Sequence, residues 1–115
     1  MKSEATLQCQ LVHFLRLKQV FVFAPLNEAF MTLTKGQKNY GLYQHYKNMG
    51  FEEGICDVWI VHQEKVYVIE LKAPGKKTTP KQDGVITRLK RQNVPVLVTD
   101  SFDAAVGWVE RYNII

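Results

Sequence analysis

The run DVWIVHQEKVYVIELK, residues 57–72, decides the fold. Asp57 to His62 and Lys65 to Lys72 are two apolar, β-branched segments separated only by Gln63 and Glu64. That spacing predicts a hairpin closed by a two-residue turn, with His62 paired to Lys65. Carried back along the ladder, the same register sets Asp57 opposite Glu70, their Cβ atoms roughly 4.5–5.5 Å apart. Like charges placed this way oppose folding, and a bound divalent cation would reconcile them. Alternation puts Val66, Val68, Glu70 and Lys72 on one face and Tyr67, Ile69 and Leu71 on the other, where a helix layer can cover them. The face that ends in two carboxylates and an amine suits metal-assisted attack on a phosphodiester. Asp57 and Glu70 would hold Mg²⁺, Lys72 would position or neutralise the phosphate, and the Leu71 carbonyl would complete the coordination. The plainer reading is a solvent-facing hairpin with Lys72 in a surface ion pair. The apolar setting of the trio, and the loop that follows with Lys76, Lys77 and Lys81, favour the metal site.

Upstream, Ser3 is an N-cap and Glu4 a first-turn acid, and Leu7, Leu11, Val12 and Leu15 recur at helical spacing over residues 4–18. Glu4 and Gln8 lie on nearly the same side as Leu11 and Leu15. Val20 to Ala24 reads as a strand closed by Pro25. Residues 26–56 are irregular apart from a short helix from Tyr40 to Met49 that stops at Gly50. Downstream of the hairpin, Thr79, Pro80 and Gln82 form a capping-box start for a helix carrying Val85, Ile86 and Leu89 and stopping near Asn93. Val94 to Thr99 is a strand of buried type, although Pro95 argues for an edge or a later start. Ser101 caps a last helix with Ala105, Trp108, Val109 and Tyr112. The order α-β-β-β-α-β-α around a separate short helix predicts a mixed α/β sheet with helices against it.

The bulk properties fit this. A 115-residue chain with 46% hydrophobic and 23% charged residues is expected to be a single globular domain over 1–115. Its net charge of +4 and pI of about 9.1 suit a polyanionic partner. Cys9 and Cys56 form neither a CxxC pair nor a disulfide framework, so both are expected to be buried thiols in a reducing compartment. The polar N-terminus lacks a signal-like stretch, and no run reaches the 18 or so apolar residues of a bilayer span, which predicts a soluble protein of the cytoplasm with no membrane partner.

Gly54-Ile55-Cys56-Asp57, then Ile69-Glu70-Leu71-Lys72, then a Gly/Lys/Thr-rich loop and Gln82, resemble the VRR-Nuc family of the PD-(D/E)XK nuclease superfamily over nearly the whole chain. The short length is similar to stand-alone viral or bacterial members. The resemblance implies a restriction-endonuclease-like αβββαβ core, Mg²⁺ or Mn²⁺ as cofactor, and structure-selective endonucleolytic cleavage of branched DNA such as Holliday junctions or flaps by a homodimer. A bacterial or virus-infected host cell would be its setting. By position, Asp57 and Glu70 become metal ligands and Lys72 the catalytic lysine. Glu4 becomes an acid reaching the metal directly or through water, Gln82 an orienting residue, and Gln8 a supporting one behind Glu4. Glu4 also has the ordinary role of a first-turn acid, and Gln82 that of a capping residue. Cys56 stands where the superfamily name has proline. No tyrosine follows Gln82 at the fourth position, which argues against a processive exonuclease.

For the substrate, Lys35, Lys38, Lys47, Lys76, Lys77, Lys81, Arg88, Lys90 and Arg91 could form a basic rim. Tyr40, Tyr43, His45 and Tyr46 interleave with Lys38 and Lys47, to stack on unpaired bases or simply to pack a short helix. Asn27 and Glu28 follow the first strand and could approach the site. Trp59 shares the face of Asp57, where it could wall the site or a subunit interface, while Trp108 reads as core. His13, His45 and His62 have no metal-ligand spacing. A non-catalytic nucleic-acid-binding module that retains the fold is the competing expectation, against which the intact Asp57/Glu70/Lys72 set argues. A duplex endonuclease specific for a short sequence would share the same site.

Overall fold

A computed structural model describes residues 3–25 and 40–115. Within them the chain forms α1 (Glu4–Leu17), β1 (Phe21–Phe23), α2 (Tyr40–Asn48), β2 (Val58–His62), β3 (Lys65–Leu71), α3 (Pro80–Arg91), β4 (Val96–Thr99) and α4 (Phe102–Arg111). One mixed sheet runs in the order β1-β2-β3-β4, antiparallel across the first two pairs and parallel between β3 and β4. This is an α/β architecture consistent with the αβββαβ restriction-endonuclease-like core.

The hairpin has the expected register, from His62 opposite Lys65 to Val58 opposite Ile69. Its turn places both Gln63 (φ 48°) and Glu64 (φ 67°) in the left-handed region, the geometry of a type I′ turn. Side-chain alternation then divides the molecule. Val58, Ile60, Tyr67, Ile69 and Leu71 pack under Leu7, Leu11 and Leu15 of α1 and Ala105, Trp108 and Val109 of α4. The opposite face receives α3, whose Ile86 packs with Cys56 and Val68. The face that bears Glu70 therefore lies under a helix instead of facing solvent.

Caps fix where the helices start. Ser3 Oγ accepts from the Thr6 amide, Ser101 Oγ from Ala104, and Thr79 forms a full capping box with Gln82. β4 begins only at Val96 and takes the sheet edge, with Val98 44% exposed. Pro95 has no amide to donate, although its carbonyl accepts from Val68 N at 3.0 Å. One expectation is corrected: Cys56 is buried but Cys9 is exposed, because it falls on α1 away from the Leu7/Leu11/Leu15 stripe.

Candidate metal centre and active site

The site forms where three elements end together. β2 begins just after Asp57, β3 finishes at Leu71 just after Glu70, and α1 starts at Glu4. Carboxylate oxygens of Glu4, Asp57 and Glu70 all lie within 4.8 Å of one another. Asp57 and Glu70 are buried and Glu4 is half-buried. Asp57 Oδ2 accepts from the Leu71 amide at 2.9 Å, so the carboxylate closes the end of the ladder in place of a backbone carbonyl.

Gln82 organises the other side. Its Oε1 accepts from the Thr79 amide at 2.9 Å and from Lys72 Nζ at 2.6 Å, while its Nε2 donates to Glu70 Oε1 at 3.2 Å. Only one orientation of the amide satisfies an amide N–H, an ammonium and a carboxylate together. One side chain thus caps α3 and fixes both Lys72 and Glu70. Lys72 Nζ stands 4.0 Å from Glu70 Oε1 and is itself largely buried. Gln8, one turn beyond Glu4, is half-buried.

Glu70 is 1% exposed, and its Oε2 is buried with no hydrogen-bond partner among the described residues. Burial first, and then the negative charge of Asp57, push its carboxyl from an ordinary 4.5 up to about 9, against the opposing pull of Lys72. An orphaned oxygen beside two further carboxylates is a donor set of hard ligands for a small divalent cation. Burial, followed by the Glu70 charge, likewise pushes the Cys56 thiol up to about 12, so no thiolate is present at neutral pH and Cys56 serves as packing.

A pH dependence follows. The folded, metal-free chain keeps a proton on Glu70 that the unfolded chain releases above 4.5. This contribution to stability is fully present below 4.5 and is lost as the pH rises towards about 9. The melting temperature in EDTA is expected to fall between pH 5 and 8.5, and saturating Mn²⁺ should flatten the curve by replacing the proton. An EDTA profile for wild type that coincides with that of Glu70→Gln would contradict this.

The contact made by Gly54, quoted above only within a motif, and the role of Glu53 were not evident from the sequence. Gly54, at φ +79°, lies against the start of α3, and a Cβ there would come within 2.6 Å of Lys81 C and 2.8 Å of Gln82 N. Glu53 is bound by Lys81 and lies 3.8 Å from Lys47, which ties α2 to the first turn of α3. A turn glycine is visible in sequence, but its contact with residues far along the chain is not.

The basic rim is only partly open. Lys35 and Lys38, with Asn27 and Glu28, lie outside the described residues. Lys47 and Lys81 are engaged by Glu53, and Arg88 lies 3.8 Å from Glu52. Lys76, Lys77, Lys90 and Arg91 are exposed. Tyr43 is buried and Tyr46 lies face to face with Phe51, ring centroids 5.1 Å apart, so these two rings are engaged in packing.

Compared with known families, residues 6–103 match the model of the VRR-NUC domain. No curated protein and no solved structure matches the chain.

Proposed function

We propose, from the premise that this chain belongs to the VRR-NUC family, that it is a divalent-metal-dependent DNA endonuclease acting on branched substrates such as Holliday junctions or flaps. The observation that carries the reading is the meeting of Glu4, Asp57 and Glu70 carboxylate oxygens within 4.8 Å of one another, with Glu70 Oε2 buried and unpartnered among the described residues. Glu4, Asp57 and Glu70, with the Leu71 carbonyl at the strand end, are the residues that would hold Mg²⁺ or Mn²⁺. When bound, such an ion supplies charge stabilisation at the phosphate and acidifies a water for attack.

The protein's own groups do the rest. Lys72, held by Gln82, has ammonium hydrogens left to donate to a phosphate oxygen, and it neutralises charge that grows as the bond breaks. Gln82 restrains the Glu70 carboxylate by one oxygen and leaves the other for the metal. The exposed Lys76 and Lys77, in the loop that leads into α3, offer cations to the DNA backbone. Two strands must be cut to resolve a junction, so a two-fold homodimer presenting two sites is the architecture we favour. Among the described residues no helix is long and apolar enough to cross a membrane.

The test is incubation of purified protein with labelled four-way, flap and linear duplex DNA, in Mg²⁺ or in EDTA. Cleavage of the branched substrates in Mg²⁺ and none in EDTA is expected. Binding without cleavage under every metal condition would instead indicate a non-catalytic module, and defined fragments from linear duplex a sequence-specific enzyme.

A further inference from the structure

Among the described residues, α3 packs on the sheet face that carries the site around Cys56 and Val68, and does not reach the β1 side of it. There β1 presents Phe21, 66% exposed, and Phe23, 37% exposed. At the boundary stands Trp59, paired across the ladder with Phe23 and half-buried. The two rings lie side by side at 6.4 Å with 25° between their planes, and Trp59 Nε1 donates to the Cys56 carbonyl at 3.0 Å. Two grooves meet at this ring. One, of about 390 Å³, runs over Phe23 and Phe51. The other, of about 520 Å³, runs along α3 past Arg88 and Arg91, and Trp59 lines both.

We propose that this aromatic shelf takes an unpaired strand of the DNA substrate, with bases against Trp59 and Phe23 and phosphates against Arg88 and Arg91. The proposal rests on the nuclease reading above. The occupant follows from the chemistry of the lining. Flat apolar rings stack on any base, but only on bases freed from a duplex, and the guanidinium groups on one flank suit phosphate. Arg88 faces Glu52 at 3.8 Å with the two side chains 65% and 50% exposed, so water screens the pair and a phosphate can displace the carboxylate. Arg91 makes no ion pair among the described residues. Position agrees with chemistry. Trp59 lies two residues from Asp57 on the same strand face, about 7 Å along the strand, so a chain on the shelf leads into the carboxylates. Its hydrogen bond to Cys56, the neighbour of Asp57, fastens the ring to the site.

The fluorescence of Trp59 tests this in EDTA, where cleavage is blocked. Trp108→Phe leaves Trp59 as the sole tryptophan, read with excitation that tyrosine does not absorb, and wild type run beside it covers the case in which that core change disturbs folding. Oligothymidylate is expected to quench the emission, and an abasic phosphodiester chain of the same length is not. Trp59→Leu should weaken oligothymidylate binding about tenfold to a hundredfold, and Arg91→Glu should weaken binding of both chains. Equal quenching by the abasic chain, or unchanged binding by Trp59→Leu, would overturn the proposal. So would quenching that tracks protein concentration and self-association in sedimentation, which would assign the shelf to a second copy. Cleavage of the four-way and flap substrates in Mg²⁺ is scored separately. Quenching without cleavage leaves the shelf and removes the nuclease, and cleavage without quenching does the reverse.

Discussion

Glu70→Gln is expected to abolish DNA cleavage while making the metal-free protein more stable than wild type. Beside two further carboxylates within 4.8 Å, the wild-type Glu70 must take up a proton to fold at neutral pH, whereas glutamine is neutral in both states and carries no such cost. The glutamine carbonyl can still accept from Gln82, and its amide can donate to the neighbouring carboxylates. Cleavage should fall roughly a thousandfold or more, because a bound divalent ion contributes several kcal/mol to the barrier and about 1.4 kcal/mol is tenfold in rate. Thermal unfolding in EDTA and a junction assay in Mg²⁺ read the two effects on one preparation. A variant that is less stable in EDTA and retains activity would assign Glu70 a purely structural role.

Gly54→Ala should be the most damaging glycine-to-alanine change among the described residues. The left-handed backbone at φ +79° alone costs an alanine about 1–2 kcal/mol. The added methyl would also meet the Lys81–Gln82 peptide at 2.6–2.8 Å, where backbone and not a flexible side chain must yield. Overpacking of that kind adds roughly 1–3 kcal/mol. Displacing that peptide moves Gln82, and with it Lys72 and Glu70, so the fraction that does fold should cleave slowly. Gly84→Ala is the control: it lies exposed within α3, a Cβ there meets nothing within 4 Å, and the change should stabilise by roughly 0.5–1 kcal/mol. Urea denaturation of the pair measures the contrast. Equal stabilities would mean that the close approach at Gly54 is not a feature of the folded protein.

The hairpin was legible because its apolar alternation admits one register: a slip by one residue would send Tyr67, Ile69 and Leu71 out of the core. The turn gave less help, since Gln63 and Glu64 are not the Asn-Gly that usually marks positive φ at both positions. Local signals placed the caps at Ser3, Thr79 and Ser101 for the same reason, as each depends on residues within one turn. The meeting of Glu4 with the strand carboxylates is long-range, and only the family resemblance pointed to it. The partners of the basic residues were not legible. Lys81 reaches Glu53 and Arg88 reaches Glu52 across the packing of two distant segments, which no sequence spacing encodes. Cys9 was misplaced because a small thiol is apolar enough to suit a core, yet helical phase sets it outside the leucine stripe.

In the proposed mechanism, carboxylates of Glu4, Asp57 and Glu70 share one divalent ion. Calorimetric titration of the metal-free protein with Mn²⁺ measures this without reference to any substrate. Wild type is expected to bind, and Lys72→Met to bind at least as well, because only a cation has been removed from the edge of the acidic cluster. Asp57→Asn, whose amide oxygen can still accept from Leu71, should fold but lose the binding heat. Equal Mn²⁺ binding by wild type and Asp57→Asn, or none by a folded wild type, would contradict the shared ion.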